Sequence, residues 1–132
     1  MREGKKMKKI NIFKDIEGME FPTGRRTRVM YGENGVINGE YFCQGYVVIY
    51  PGGSIPIHDH ETIETYTILK GRGEMTIDGE TETVAEGDSV YIDRNLPHGL
   101  VNTGTEDMHM MFVYAPKMVV DHWAQEMSGE LK

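Results

Sequence analysis

A chain of 132 residues suits one domain built around one core. Its formal net charge of −7 argues against a nucleic-acid partner, because no basic face is offered to phosphates. A single cysteine excludes an intrachain disulfide, and no apolar run reaches the length of a signal peptide or a membrane span. Both observations fit a cytoplasmic address.

Residues 1–24 read as an N-terminal arm. MREGKKMKKI gathers lysine at its start, the pattern of a solvated tail. Ile10 to Phe13 reads as a short strand, and Pro22 and Gly24 close the arm. Arg25 to Tyr31 alternates as a strand, the first of a barrel expected over 25–118. Gly32 to Gly39 is a loop rich in Gly and Asn. Tyr41 to Tyr50 is aromatic and β-branched, a strong strand signal.

The stretch from Gly52 to Gly71, GGSIPIHDHETIETYTILKG, carries the chemistry. Ile55 to His60 and Thr62 to Leu69 are its expected strands. Alternate residues of a strand share a face, so the imidazoles of His58 and His60 can converge. Glu64 joins that face if the strand continues or resumes after a short turn. Two imidazoles and a carboxylate on one wall are a metal-binding set.

Beyond the turn at Gly71-Arg72-Gly73 lies a hairpin: Glu74 to Ile77, the pair Asp78-Gly79, then Glu80 to Val84. A two-residue Asp-Gly loop suits a type I′ turn. Glu86-Gly87-Asp88 is a turn and Ser89 to Ile92 a short strand. Leu96 to Val101 carries His98 out of a turn and into a strand. Met108 to Tyr114 is the final strand, ended by Pro116. The methionines of that strand read as core filling. In the tail, 119–132, Val120, Trp123 and Met127 recur at helical spacing, which predicts a short helix within Val119 to Glu130.

Gly52, His58, His60, Glu64 and Gly71 stand at the fixed positions of the first cupin motif, which this stretch resembles throughout. GDSVYIDRNLPHGLVN resembles the second cupin motif, with Gly87, His98 and Asn102 in place. Two residues depart from it. Asp93 stands where the family usually has Pro, and Asn95 where it usually has Gly, both in the turn before His98. Asn tolerates positive φ better than most residues. The resemblance covers Gly52 to Asn102. It implies an all-β, double-stranded β-helix or jelly-roll barrel, with the short C-terminal helix outside the motifs. The many short strands separated by turns point to the same architecture.

The resemblance further implies that His58, His60, Glu64 and His98 bind one divalent transition metal. Cupins with this ligand set favour Mn or Fe, and mixed nitrogen and oxygen ligation also suits Ni, Co or Zn. Three imidazoles and one carboxylate leave open positions on a six-coordinate ion, as catalytic sites do.

Three further residues are candidates for catalysis. Tyr66 shares the face of Glu64, where its hydroxyl either donates to a substrate oxygen or is the wet tip of a core aromatic. Arg28 lies on a strand and either clamps a substrate carboxylate or phosphate or is a surface arginine. His109, in the last strand, is either an inward acid/base or a half-exposed polar residue. His122 reads as a surface residue of the tail. Cys43 reads as a small buried hydrophobe.

The expected function is metal-dependent chemistry on a small, polar, oxygen-rich metabolite, a sugar acid or a keto acid, by isomerase, lyase or decarboxylase steps. A metal-dependent dioxygenase is the second expectation, and a non-catalytic ligand-sensing or metal-binding cupin the third. No nucleic acid and no membrane is expected as a partner. A homodimer is expected, joined through Ile10 to Phe13 and the tail around Trp123, because a small barrel leaves sheet edges to cover.

Overall fold

Residues 6–116 and 122–132 are described by the computed structural model, and their strands fall into two antiparallel sheets. The larger contains β1 (Met19–Phe21), β2 (Arg25–Tyr31), β3 (Cys43–Ile49), β5 (Ile63–Lys70), β8 (Ser89–Ile92) and β10 (Met108–Ala115), in the order β1-β2-β3-β10-β5-β8. The smaller contains β4 (Ser54–His58), β6 (Arg72–Ile77), β7 (Glu80–Ala85) and β9 (His98–Asn102), in the order β4-β9-β6-β7. The sheets face each other as the jelly roll predicted from the strand pattern.

Strand parity decides what lies between them. Along β10, Met108, Met110, Phe112 and Tyr114 point inward and the intervening residues do not. Along β5, Glu64, Tyr66 and Ile68 are the inward set. Along β2, Arg25, Thr27 and Val29 face in. Ile49, Ile68, Ile92, Leu100, Met108 and Met110 form the dry part of the core, which confirms the methionines as packing residues.

The β6–β7 hairpin turns as its sequence requires. Asp78 and Gly79 both take positive φ, 47° and 83°, the signature of a type I′ turn. Asn95 also takes positive φ, 64°, so the departure from glycine in that turn is met by a residue that tolerates the left-handed region.

The start of the chain differs from expectation. Ile10 to Phe13 is not a strand; α1 spans Ile12–Asp15. The Asn11 side chain accepts from the backbone amides of Phe13 and Lys14, and Asp15 Oδ2 accepts from Asn11 N. Local capping by short polar side chains outweighs the alternation of four residues. β1 lies within the expected arm and pairs with β2.

At the other end, α2 spans His122–Met127. Val119 and Val120, part of the expected helical stripe, lie outside the described residues. Met127 is exposed, and the buried residues of α2 are His122, Trp123 and Glu126. Trp123 packs against Phe21 and Phe112 and anchors α2 onto the barrel. Among the described residues, no helix is long and apolar enough to cross a membrane.

Candidate metal centre

Four elements deliver the four candidate ligands. β4 ends at His58, two residues short of the expected strand end at His60, and the chain then turns, so His60 lies between β4 and β5. β5 begins at Ile63 and supplies Glu64. His98 opens β9 directly opposite His58 in the antiparallel register. The turn before β9 is fastened to the other motif, because Asn95 N donates to the carbonyl of His60 (2.8 Å). His58, His60, Glu64 and His98 thereby each offer a ligand atom, and these atoms all lie within 4.8 Å of one another.

The tautomers are set by the backbone. His58 Nδ1 lies 2.7 Å from the carbonyl of Pro56, and His98 Nδ1 lies 2.9 Å from the carbonyl of Leu96. A carbonyl only accepts, so each Nδ1 must carry the hydrogen and donate it. His60 Nδ1 meets the side chain and carbonyl of Thr62, at 2.6 and 3.3 Å. The Nε2 atoms turn to the shared centre. Those of His60 and His98 lie 3.0 and 3.3 Å from Glu64 Oε1. His58 Nε2 is buried and has no hydrogen-bond partner among the described residues.

This arrangement fits a cation. Two of the three imidazoles commit their Nδ1 hydrogens to carbonyls, and the Nε2 atoms gather about a carboxylate oxygen. Lone pairs directed at one point repel unless a proton or a metal ion lies among them. Histidine ligands held by hydrogen bonds from their second nitrogen are the usual support of a metal site.

Electrostatics follow the same geometry. Burial disfavours the charged form of His58 and, with the neighbouring histidines, pushes its pKa down. Burial opposes ionisation of Glu64, but the imidazoles of His60 and His98 beside it outweigh that effect and hold the carboxyl below its ordinary range. Burial likewise opposes the charge on His60, and Glu64 reverses the balance and raises its pKa. Burial and the charge of Glu64 push the Tyr66 hydroxyl well above its ordinary value, so it stays protonated. Burial also raises the Cys43 thiol, which is buried and inert as the sequence suggests.

The expected catalytic residues separate. Tyr66 faces the cluster, its ring 5.9 Å from that of His98. Arg28 and His109 do not reach it. Arg28 Nε donates to the carbonyl of Ile16, and its guanidinium lies over Phe13 on the outer face of the large sheet. His109 Nδ1 lies 2.6 Å from the hydroxyl of Tyr46 on that same outer face. Parity is the reason for both corrections: Thr27 and Val29 flank Arg28 and point inward, as Met108 and Met110 do for His109.

The sequence reading missed Arg25, His122 and Glu126. His122 is not a surface residue: it is 8% exposed and stacks on His58 with ring centroids 3.6 Å apart. Its Nδ1 lies 2.9 Å from Glu126 Oε2. Glu126 is 0% exposed and pairs with Arg25, which is 1% exposed. Arg25 Nη2 donates to Glu126 Oε2 (2.8 Å), Nη1 donates to Oε1, and Thr23 Oγ1 donates to Oε1 (2.9 Å). Arg25, His122 and Thr23 hold the Glu126 carboxyl down to about 2 against the opposing effect of burial. The i, i+4 spacing of His122 and Glu126 was the one signal available, since it places both on one helix face.

A small cavity of ≈ 20 Å³ remains beside the cluster, room for about one water. Arg25, Thr27, His60, Glu64, Tyr66 and His122 are among its lining residues. His122 and Trp123 of α2 form part of its wall.

Comparison with known proteins agrees with this geometry. A family model described as a cupin domain matches residues 45–114, more than half of the chain. An uncharacterized protein of Methanocaldococcus jannaschii is 37% identical over 65 residues, 48% of this chain and 52% of that protein. The match thus spans about half the length of that relative. Among solved structures, an RmlC-like cupin from Shewanella frigidimarina superposes with a TM-score of 0.71 at 14% identity, covering 89% of this chain and 96% of that one. The polyketide cyclase RemF from Streptomyces resistomycificus superposes with a TM-score of 0.69 at 21% identity, covering 87% of each chain. At these identities the likeness is one of fold.

Proposed function

Because the chain belongs to the cupin family, we propose that it is a metal-dependent enzyme acting on a small, polar, oxygen-rich metabolite, a sugar acid or a keto acid, by isomerase, lyase or decarboxylase chemistry. The observation that carries this reading is the convergence of three Nε2 atoms and one carboxylate oxygen, with His58 Nε2 buried and unpartnered among the described residues. Held by His58, His60, Glu64 and His98, a divalent transition metal, Mn or Fe by likeness to cupins of this ligand set, would supply Lewis acidity to neighbouring substrate oxygens.

The chain's own residues divide the remaining work. The backbone carbonyls of Pro56 and Leu96 fix the rings of His58 and His98, so the ligands are oriented before anything binds. Tyr66 is kept protonated, so its role is that of a hydrogen-bond or proton donor to a substrate oxygen and not that of a base. His122 and Trp123 of α2 line the pocket beside the centre and narrow it to room for about one water.

The test is turnover of a panel of sugar acids and 2-oxo acids by the metal-loaded protein, followed by NMR, with oxygen uptake recorded in parallel. Isomerised, dehydrated or decarboxylated products without oxygen uptake support the proposal. Oxygen consumption tied to substrate would replace it with a dioxygenase, and substrate binding without turnover would leave a non-catalytic cupin.

A further inference from the structure

The Arg25–Glu126 pair lies beside the candidate metal centre and takes no part in the ligand set. Arg25 comes from β2, and Glu126 comes from a short helix laid across the barrel. Two guanidinium nitrogens meet the two oxygens of one carboxylate side by side, the fork geometry that arginine uses for carboxylates. Thr23 Oγ1 adds a third donor. Arg25 is oriented independently of Glu126, since its Nη1 also donates to the carbonyl of Ser54 (3.1 Å) and its guanidinium lies over the Phe21 ring at 4.1 Å. The receptor for a carboxylate is therefore built into the sheet, and the carboxylate is brought by the helix.

A second feature points to a ligand. Thr27, next on the inward face of β2 after Arg25, is 2% exposed, and its Oγ1 is buried without a hydrogen-bond partner among the described residues. Thr27 lines the same cavity as Arg25, Glu64 and Tyr66. A buried hydroxyl left unpaired is costly unless something polar comes to it. The cavity has room for about one water, and Glu126 of α2 fills the place beside Arg25, so a ligand that takes that place must displace α2.

We propose that Arg25 is the carboxylate-binding residue of this site and that Glu126 occupies it as an internal stand-in, which a small carboxylate ligand displaces together with α2. The exchange leaves the buried guanidinium paired with a carboxylate both before and after it, so neither end state strands the charge of Arg25. Glu126 and the polar face of α2 pass to water. The class of ligand follows from the group already seated there: an aliphatic carboxylate bearing further oxygens that face Thr27 and the metal centre. This rests on the metal-centre reading for the far end of the ligand, but not for the Arg25 end.

Trp123, the only tryptophan of the chain, reports the exchange directly. It sits on α2 between Phe21 and Phe112, and displacement of α2 carries it into water. The experiment titrates the full chain, both metal-loaded and stripped by chelator, with acetate, oxalate, pyruvate and gluconate. Acetamide and pyruvamide serve as neutral counterparts, and inorganic phosphate as a competing anion. At least one carboxylate is expected to shift Trp123 emission to the red in a saturable way, and the amides to leave it unmoved. Glu126→Gln, nearly the same shape without the charge, should bind that carboxylate at least tenfold more tightly by calorimetry, because the internal competitor is weakened. Arg25→Lys, checked for folding by thermal melt, should lose most of the response.

A red shift that survives Arg25→Lys unchanged would mean that the carboxylate sits on the metal alone, and would overturn the proposal. So would a Glu126→Gln variant with unaltered affinity, a response to phosphate but to no carboxylate, or no response to any carboxylate of the panel. Any of these returns the pair to a structural clamp. The two readings fail separately. A carboxylate response in protein that takes up no metal would sustain this proposal and sink the metal centre, and metal uptake without a carboxylate response would do the reverse.

Discussion

The imidazole of His122 lies flat on the imidazole of His58, with ring centroids 3.6 Å apart and planes inclined by 16°. A residue from the end of the chain therefore covers the back of a candidate metal ligand from β4. Stacking holds the His58 ring in plane while Pro56 fixes its tautomer. Removing the stack by His122→Ala is expected to weaken metal binding by about tenfold, the lower end of what supporting groups around a metal contribute. His122→Phe, which keeps a flat ring in the same place, should stay within a few-fold of the wild type. Competition against a chromophoric chelator measures both, and equal losses in the two variants would show that the imidazole and not the stack matters.

Glu126 gives α2 a pH-dependent hold on the barrel. Its carboxyl is held down to about 2, against an ordinary value of 4.5, by Arg25, His122 and Thr23. A carboxylate with a depressed folded-state pKa contributes its stability above the ordinary value, and that contribution is lost as pH falls from 4.5 toward 2. The thermal stability of the wild type and of Glu126→Gln should therefore differ at neutral pH and converge over that acidic window. Glu126→Ala, which leaves Arg25 buried and unpaired, should cost about 3–5 kcal/mol near neutrality. A gap that persists unchanged at low pH would contradict the ion pair as its source.

Tyr66→Phe keeps the ring in the core and removes one hydroxyl. Metal content should be unchanged, because the phenol lies outside the ligand set. Turnover of whichever substrate is identified should fall by about 10²–10⁴-fold if the hydroxyl passes a proton. Unchanged turnover would return Tyr66 to a packing role.

We also propose that the protein is a homodimer, through α1, the adjoining β1 edge and the tail around Trp123. Phe13 and Met19 are exposed on these elements, and β1 ends the large sheet. Light scattering at micromolar concentration should give twice the chain mass, and Phe13→Glu should shift it toward the monomer. A monomeric wild type would dispose of the idea.

The barrel and the ligand set were legible because they rest on local rules. The Asp78-Gly79 hairpin needs two residues of positive φ, and the spacing of His58, His60 and Glu64 sits in one short stretch. The choice of arginine was not legible. Arg25, Arg26 and Arg28 fall on both faces of one strand, and a change of one residue in parity exchanges inside for outside. The same parity sent His109 to the outer face beside Tyr46. The docking of α2 was illegible for a different reason. His122 and Glu126 share a helix face, but nothing local says that this face meets Arg25 and His58, which lie in strands far away in sequence. Their docking is tertiary, and a polar face on a short helix reads as solvated until its partners are known.

The central claim is that His58, His60, Glu64 and His98 bind one transition-metal ion together. Elemental analysis of natively purified protein, followed by metal titration after chelator treatment, tests it most directly. The account predicts a single tightly held ion per chain, and its loss in both His98→Ala and Glu64→Gln with the fold retained by circular dichroism. A wild-type protein that takes up no transition metal, or variants that retain the full complement, would contradict it.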